Sequence, residues 1–405
     1  MTGSGIMSLP TKSTIREARF WRIIIGLGIA SVFIFAAMYA MQPLLPILTK
    51  QFGVSVATAS LTMSINTIGL IIGLIILGFY SDRLGRSVFV KTSILLTALL
   101  FIPMFLTHSF AVILALRFLQ GFVMAGVLAA ALAYINEEIH GRVVSMATAL
   151  YISFNSTGGM FGRFVTGYIA ERWSWELSLQ LLGIIGVVVF FMLLFVLPKS
   201  TNFQPSTETI RKDMEGFGFH LKNPALLIVI GLGIVLQLCF TGMWTFLPFH
   251  LTASPFLLTL DEISYIYFAY AFGIIGAPLA GVLAAKYGLR KVRLIAIVLL
   301  MAGCLITIPM KLPLIVIGYC VICLGFFSAH SLTAASVSKE ATHHKGSASS
   351  LYLVSYYVGM AAGSTLTSPL WEVAGWTGLA LFSASVPIVY VLLIRLRQRK
   401  LGVAH

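Results

Sequence analysis

Long apolar runs, each closed off by a short polar hairpin, divide this chain from end to end. No charged residue occurs between Ile68 and Phe79, and the run that begins at Val88 carries only Lys91 near its start. A helix needs about 20 predominantly apolar residues to cross a bilayer, and in lipid its backbone must satisfy its own hydrogen bonds. Runs of that kind fall at 20–48, 58–80, 88–107, 109–134, 143–170, 177–198, 224–250, 262–284, 292–310, 312–337, 346–370 and 376–396. The pattern predicts an all-α polytopic membrane protein with twelve transmembrane helices. The longest polar interval, 199–223, holds Pro205, Glu208, Arg211, Lys212, Asp213 and Glu215. It predicts a linker between two six-helix bundles, 20–198 and 224–396, with tails at 1–19 and 397–405. A linker of that length is expected to let the bundles move against each other.

Composition agrees with this reading. Hydrophobic residues make up 59% of the 405 and charged residues only 10%, against roughly 25% charged in a soluble globule. The first run follows Lys12, Arg16, Arg19 and Arg22, as a secretory signal would. It is far longer than the 7–15 residue core of a signal peptide and contains Pro43 and Pro46, so a retained first helix is expected. Twelve spans put both termini on one side. Of the 27 Lys and Arg residues, all but Lys50, Arg117, Arg163, Arg172 and Lys311 fall in the tails, the linker and the hairpins of that side. That bias makes it the cytoplasmic side. The net charge of +14 then faces an anionic leaflet and requires no nucleic acid. Cys239, Cys304, Cys320 and Cys323 all lie inside apolar runs, where packing is expected. The His343-His344 pair lacks accompanying acids or cysteines, so no metal is expected.

The two halves repeat each other. Gly78-x4-Arg83-x-Gly85 is echoed by Gly281-x4-Lys286-x-Gly288, with Ala285 where the first copy has Asp82. Gly158 and Gly162 precede Trp175 as Gly359 and Gly363 precede Trp376, and Gly121-Phe122 with Ala125 recurs as Gly325-Phe326 with Ala329. The hairpin Gly78-x3-Asp82-Arg83-x-Gly85-Arg86 resembles the signature between the second and third helices of the major facilitator superfamily, with Ser87 where that family often has another base. Arg117-Phe118-Leu119-Gln120-Gly121 resembles the R-x-x-Q-G motif of its drug and metabolite exporters. The stretches Ala149–Ser153 and Gly325–Ser331 resemble an uncharacterised or sugar-exporting branch. The resemblance implies the fold of that family: two pseudo-symmetric six-helix bundles that rock around a central site between the halves. It further implies a small-molecule exporter, acting as a monomer in the inner membrane of a bacterium. Export in exchange for protons would need no cofactor beyond the proton gradient.

Charges within spans are costly and are functional candidates by default. Arg117 and Arg163 are the two here, each about 12 Å below the external boundary at 1.5 Å per residue, and every acid falls in or beside a loop. They are expected either to attract an anion or to bond helix carbonyls and nearby polar side chains, such as Gln120 or Ser156, and serve packing. Gln120 and Gly121 join them as candidates for coupling or substrate. For Arg117 the resemblance adds a role in coupling. His330 is the candidate proton carrier, because imidazole titrates near physiological pH. Tyr39, Gln42, Gln237, Thr241, Trp244, Tyr352, Tyr356 and Tyr357 are candidates to line the cavity. Gly158, Gly159, Gly162, Gly359 and Gly363 are expected to allow close helix packing, including a tight contact between the halves. With Asn155 they form an incomplete version of the family's antiporter motif.

An organic-anion importer or exchanger is the alternative that the arginine pair favours, and a channel is a more distant one. No paired intramembrane carboxylates, nucleophile elbow or ATP-binding motif points to an enzyme or a primary pump. In the hairpin, Gly78 and Gly85 are expected to allow close approach and a tight turn. Asp82 is expected to hold the cytoplasmic gate by accepting from the start of the eleventh helix at Lys345-Gly346-Ser347, and Arg83 or Arg86 to meet Glu137 or Glu138. Asp82→Asn should therefore impair transport while membrane expression stays normal. Unchanged flux in vesicles would remove Asp82 from the gate.

Overall fold

A computed structural model describes residues 12–205, 215, 218–340 and 345–400, and the regular elements among them are helices. The first span is α1 (Ala18–Tyr39) followed by α2 (Leu45–Phe52), where one unbroken helix was expected. Pro43 and Pro46 cannot donate to the carbonyls of Tyr39 and Gln42. The chain turns instead, with Gln42 N–H on Tyr39 O (3.1 Å) and Leu44 N–H on Met41 O (3.1 Å). The second span is α3 (Val56–Leu84). The third is α4 (Arg86–Leu99) plus α5 (Phe101–Leu106), divided because Pro103 cannot donate to Leu99. Single helices α6 (Phe110–Glu138), α7 (Gly141–Arg172), α8 (Trp175–Val196) and α9 (Pro224–Thr252) form spans four to seven.

The eighth span is again composite: α10 (Leu260–Ile266), a 3₁₀ turn at Tyr267–Ala269, and α11 (Tyr270–Tyr287). α12 (Leu289–Ile306), α13 (Leu312–Glu340), α14 (Lys345–Thr365) and α15 (Ser368–Lys400) complete the chain. α15 is two helical pieces meeting at a kink at Gly375, where φ is 58°, and the piece beyond the kink starts where the twelfth span was expected. Nine helical segments among the described residues are long and apolar enough to cross a membrane, by length and composition. The other three, α7, α12 and α14, carry more polar residues and pack among the rest.

The sequence repeat is realised as a packing repeat. In the first half α1 packs on α7 and α8, α3 on α6, and α4 on α6 and α8. In the second half α9 packs on α14 and α15, α11 on α13, and α12 on α13 and α15, the same pairs six spans later. Each half has its own apolar core. Gly85 and Gly288, at equivalent turns, both have positive φ (104° and 91°). Gly78 does not make the close approach expected of it: a Cβ there would meet only Ala129, at 3.8 Å.

The glycine pairs serve a different contact from the one expected. A Cβ at Gly158 or Gly162 would collide with the α1 backbone at Val32 or Ala36. One at Gly359 or Gly363 would collide with α9 at Ile234 or Leu238. The pairs therefore hold the first span to the fifth and the seventh to the eleventh, within each half rather than between halves. Their spacing is that of any close helix crossing, which is why sequence alone assigned them to the wrong partner.

Between the halves α3 meets α14, and α7 meets α10 and α11. Their polar contacts lie at the end away from the chain termini: Ser60 with Ser368 (3.1 Å), Ser64 with Ser364 (2.9 Å) and Arg172 with Asp261 (3.0 Å). The rings of Phe161 and Phe164 pack there against Tyr265 and Phe268. At the opposite end the tail and the start of the linker belong to the first bundle rather than swinging free. Ser13 N–H donates to Glu138 O (2.8 Å), and Tyr134 Oη donates to Pro198 O (2.8 Å). Gly162→Val should overpack the crossing of α1 and α7 and cost about 1–3 kcal/mol, read as a lower melting temperature in detergent. The same change at Gly78, where a side chain has room, should leave the melting temperature nearly unchanged.

Candidate functional site

The hairpin between α3 and α4 builds an ion-pair cluster within the first half. Arg86 donates from Nε (3.0 Å) and Nη2 (2.7 Å) to Glu137 Oε1, from Nη1 to Ser81 Oγ (3.2 Å), and also pairs with Asp82. Arg83 donates to Phe79 O (2.8 Å) and lies over the Phe79 ring. Glu137 thus meets Arg86, one of the two partners expected for it. Glu138 has a separate set. Fully buried, it accepts from Arg19 (2.8 Å), from Thr201 N–H (2.6 Å) and Oγ1 (2.9 Å), and from Asn202 N–H (2.8 Å). It ties the tail to the linker. The side chains of Lys345-Gly346-Ser347, expected against Asp82, and the His343-His344 pair lie outside the described ones.

Arg117 is fully buried and faces the interior of its own half. Its Nε donates to Thr62 O (3.2 Å), Nη1 to Ala37 O (3.1 Å) and Gln120 Oε1 (2.5 Å), and Nη2 to Met38 O (2.8 Å). Ala37 and Met38 belong to the last turn of α1, whose carbonyls have no continuing helix to bond. A cation is stabilised at that negative helix end. Gln120 also donates to Thr97 O (3.2 Å), and Gly121 lets α6 touch the Asn66 backbone of α3. In this conformation Arg117 caps a broken helix and offers nothing to a substrate.

Arg163 is just as buried but sits where the halves meet. Its Nη1 donates to Gly159 O (2.7 Å) and its Nε to Gln42 Oε1. Gln42 in turn donates to Thr245 Oγ1 of the second half (3.2 Å). The remaining neighbours are rings: the guanidinium lies 3.6 Å from the Tyr39 centroid, 4.6 Å from Tyr270, 5.7 Å from Tyr267 and 5.9 Å from Trp244. Gly159 preserves this room, since a Cβ there would come within 3.2 Å of both Arg163 and Tyr39. Tyr39, Gln42, Arg163, Phe240, Thr241, Trp244 and Tyr270 enclose a space too small to admit a water molecule. The buried Tyr267 Oη, Tyr270 Oη, Trp244 Nε1 and Gln237 Oε1 have no hydrogen-bond partner among the described residues. Each unmet buried polar group costs about 1–3 kcal/mol.

A ladder of rings runs on from this site. Phe240 stacks on Phe326 (3.8 Å, 11°), Phe326 on His330, and His330 on Tyr352, with Tyr356 tilted against His330 at 47°. His330 Nδ1 is bonded to Tyr352 Oη (2.9 Å), while Gln237 donates to Thr241 Oγ1 (3.1 Å). The cavity candidates of the seventh, tenth and eleventh spans are thereby brought into one wall with the Arg163 site.

The sequence pattern of the Major Facilitator Superfamily matches residues 27–364 and 244–403. The chain belongs to the major facilitator superfamily. It is 32% identical over 382 residues to the inner membrane transport protein YnfM of Escherichia coli K12, covering 94% of this chain and 92% of that one. A shorter match, 29% over 165 residues and 40% of this chain, is to the 4-hydroxybenzoate transporter PcaK of Pseudomonas aeruginosa, of which it covers 37%. The structure of the nucleoside transporter NupG superposes with a TM-score of 0.75 at 15% identity, covering 92% of this chain and 99% of that one. That likeness is one of fold. The chain is thus a membrane transporter of the superfamily.

Sequence reasoning singled out Arg163, Tyr39, Gln42, Thr241 and Trp244 but missed Tyr267, Tyr270 and Phe240. The two tyrosines stand at i and i+3 across the 3₁₀ turn, where such positions eclipse, so both rings present to the same arginine. A Tyr-x-x-Tyr pair inside an apolar run was the available clue. The geometry also separates the two arginines by experiment. Arg117→Gln leaves the carbonyls of Ala37 and Met38, at the end of α1, without a donor and should cost at least about 2 kcal/mol. Its melting temperature should fall well below that of Arg163→Gln; equal melting temperatures would contradict the cap.

Proposed function

We propose that this protein is a secondary transporter of a small organic anion, which it binds at Arg163 and carries by alternating access between the two six-span halves. The observation that carries this reading is a dry, buried cation at the meeting of the halves, with no carboxylate beside it among the described residues and with rings around it whose polar atoms lack partners there. A desolvated cation favours a negative partner strongly, because little water screens it. The relative named as a 4-hydroxybenzoate transporter supports an organic acid as substrate.

Drug or sugar export by proton antiport, expected from the sequence resemblance, accounts less well for an arginine without a counter-ion. Proton coupling fits either direction. An anion entering a cell works against the membrane potential, about 2.3 kcal/mol per charge at 100 mV, so uptake calls for at least one accompanying proton. His330, with one ring nitrogen held by Tyr352, is the proposed carrier. The lysine and arginine bias supports both termini in the cytoplasm, and the likeness to an inner membrane transport protein of Escherichia coli supports a bacterial inner membrane. Each chain, with both halves of the site, is proposed to work as a monomer.

Proteoliposome flux under an imposed pH gradient tests the proposal. Arg163→Gln should lower anion flux at low substrate by about 10- to 100-fold, the value of a charge-assisted contact, with Arg163→Lys in between. Undiminished anion flux in Arg163→Gln, or saturable flux of a sugar or cationic drug that ignores the substitution, would return the protein to the exporter reading.

A further inference from the structure

We infer that the anion is an aromatic monocarboxylate, and that its carboxylate takes the place of the Gln42 amide oxygen on Arg163, thereby releasing the Gln42–Thr245 bond that joins the halves. The inference rests on the anion reading above and adds the substrate class and the latch.

The charge count comes first. Arg117 is spent on backbone carbonyls and Gln120, so Arg163 alone among the described residues offers a positive charge to this space. One guanidinium neutralises one negative charge. A dicarboxylate would carry a second charge into dry, ring-lined surroundings, where an unpaired ion is strongly disfavoured.

Donor geometry specifies the head group. Gln42 Oε1 is a neutral acceptor on Arg163 Nε, held by a side chain on the turn between α1 and α2 rather than on a helix face. A carboxylate accepts more strongly than an amide and matches the planar fork of arginine with two oxygens. The rings of Tyr270, Tyr267 and Trp244, centred 4.6, 5.7 and 5.9 Å from that guanidinium, carry buried donors without acceptors among the described residues, at Oη, Oη and Nε1. The indole N–H can only donate, so it calls for an acceptor. A carboxylate supplies up to four lone-pair sites, which a neutral sugar hydroxyl or a cationic amine does not.

The walls specify the rest. Tyr39, Phe240, Trp244 and Tyr270 line the space, and Phe240 is already stacked face to face on Phe326 at 3.8 Å. Ring faces in such arrays gain from another ring in offset or edge contact beyond what apolar area alone provides. Because the closed space excludes even a water molecule, the anion enters only as the halves part. Gln42 is the side chain whose release links the two steps: it bonds Arg163 on one side and Thr245 of the other half on the other. It stands in for the substrate when none is bound.

Equilibrium binding to the purified full-length protein in detergent tests this, with benzoate as the probe. Benzoate should bind saturably, with benzamide, cyclohexanecarboxylate and terephthalate each at least about 10-fold weaker, the loss of one strong contact or the burial of one unmatched charge. Gln42→Glu, which installs a carboxylate on Arg163, should abolish benzoate binding while raising the melting temperature. Gln42→Ala, which removes the competitor, should bind benzoate at least as tightly as the natural protein. Benzoate binding no better than benzamide, or undiminished in Gln42→Glu, would overturn the inference. If cyclohexanecarboxylate or terephthalate binds in an Arg163-dependent way and benzoate does not, the substrate class falls and the anion reading stands. If only neutral or cationic probes bind, both fall.

Discussion

The break in the first span governs this structure. Two prolines at positions 43 and 46 remove backbone donors in the middle of an apolar environment, where lost hydrogen bonds cannot be replaced by water. The helix therefore ends at Tyr39 and resumes at Leu45. Both intramembrane arginines converge on the six residues around that ending. Arg117 bonds the carbonyls of Ala37 and Met38. Arg163 bonds the Gln42 side chain and lies against the Tyr39 ring. One cation repairs the break and the other uses it. Without the turn, Gln42 would lie on a helix face, and its amide would have less freedom to serve Arg163 and Thr245 together.

The two halves share a packing scheme but not a chemistry. Glycines at equivalent positions let the fifth and eleventh spans touch the first and seventh, and glycines of positive φ turn both hairpins. The cations within spans belong to the first half, whereas most of the rings and unmet donors around Arg163 belong to the second. That division suits a transporter. Each half alone holds an incomplete site, so the free energy of filling it depends on how the halves are placed. A ligand with different contacts in the two placements shifts the balance between them.

The hairpin cluster at the end near the chain termini has a more local character than its sequence motif suggests. Arg86, Asp82 and Glu137 satisfy one another within the first bundle. Glu138 fastens the tail and the first linker residues to the same bundle. These contacts join that end of the first half, the tail and the start of the linker into one hydrogen-bonded unit.

Much of this was legible in the order of residues. Apolar runs, the proline positions, the repeated glycines and the distribution of lysine and arginine are local or periodic properties, and they determined the span count, the repeat and the family. They also marked Arg117 and Arg163 as unusual, because a charge in an apolar run stands out whatever surrounds it. What separated those two arginines was tertiary. They are the same residue type at nearly the same depth, and only the packing of distant spans put one against carbonyls and the other among rings. The same holds for the glycine pairs, whose spacing permits a close crossing without naming the partner. It holds for Tyr267 and Tyr270 too, brought to Arg163 by a 3₁₀ turn that no proline or glycine in it announces. Periodicity specifies which face of a helix is apolar; which residues meet across that face is decided by contacts between segments a hundred or more residues apart.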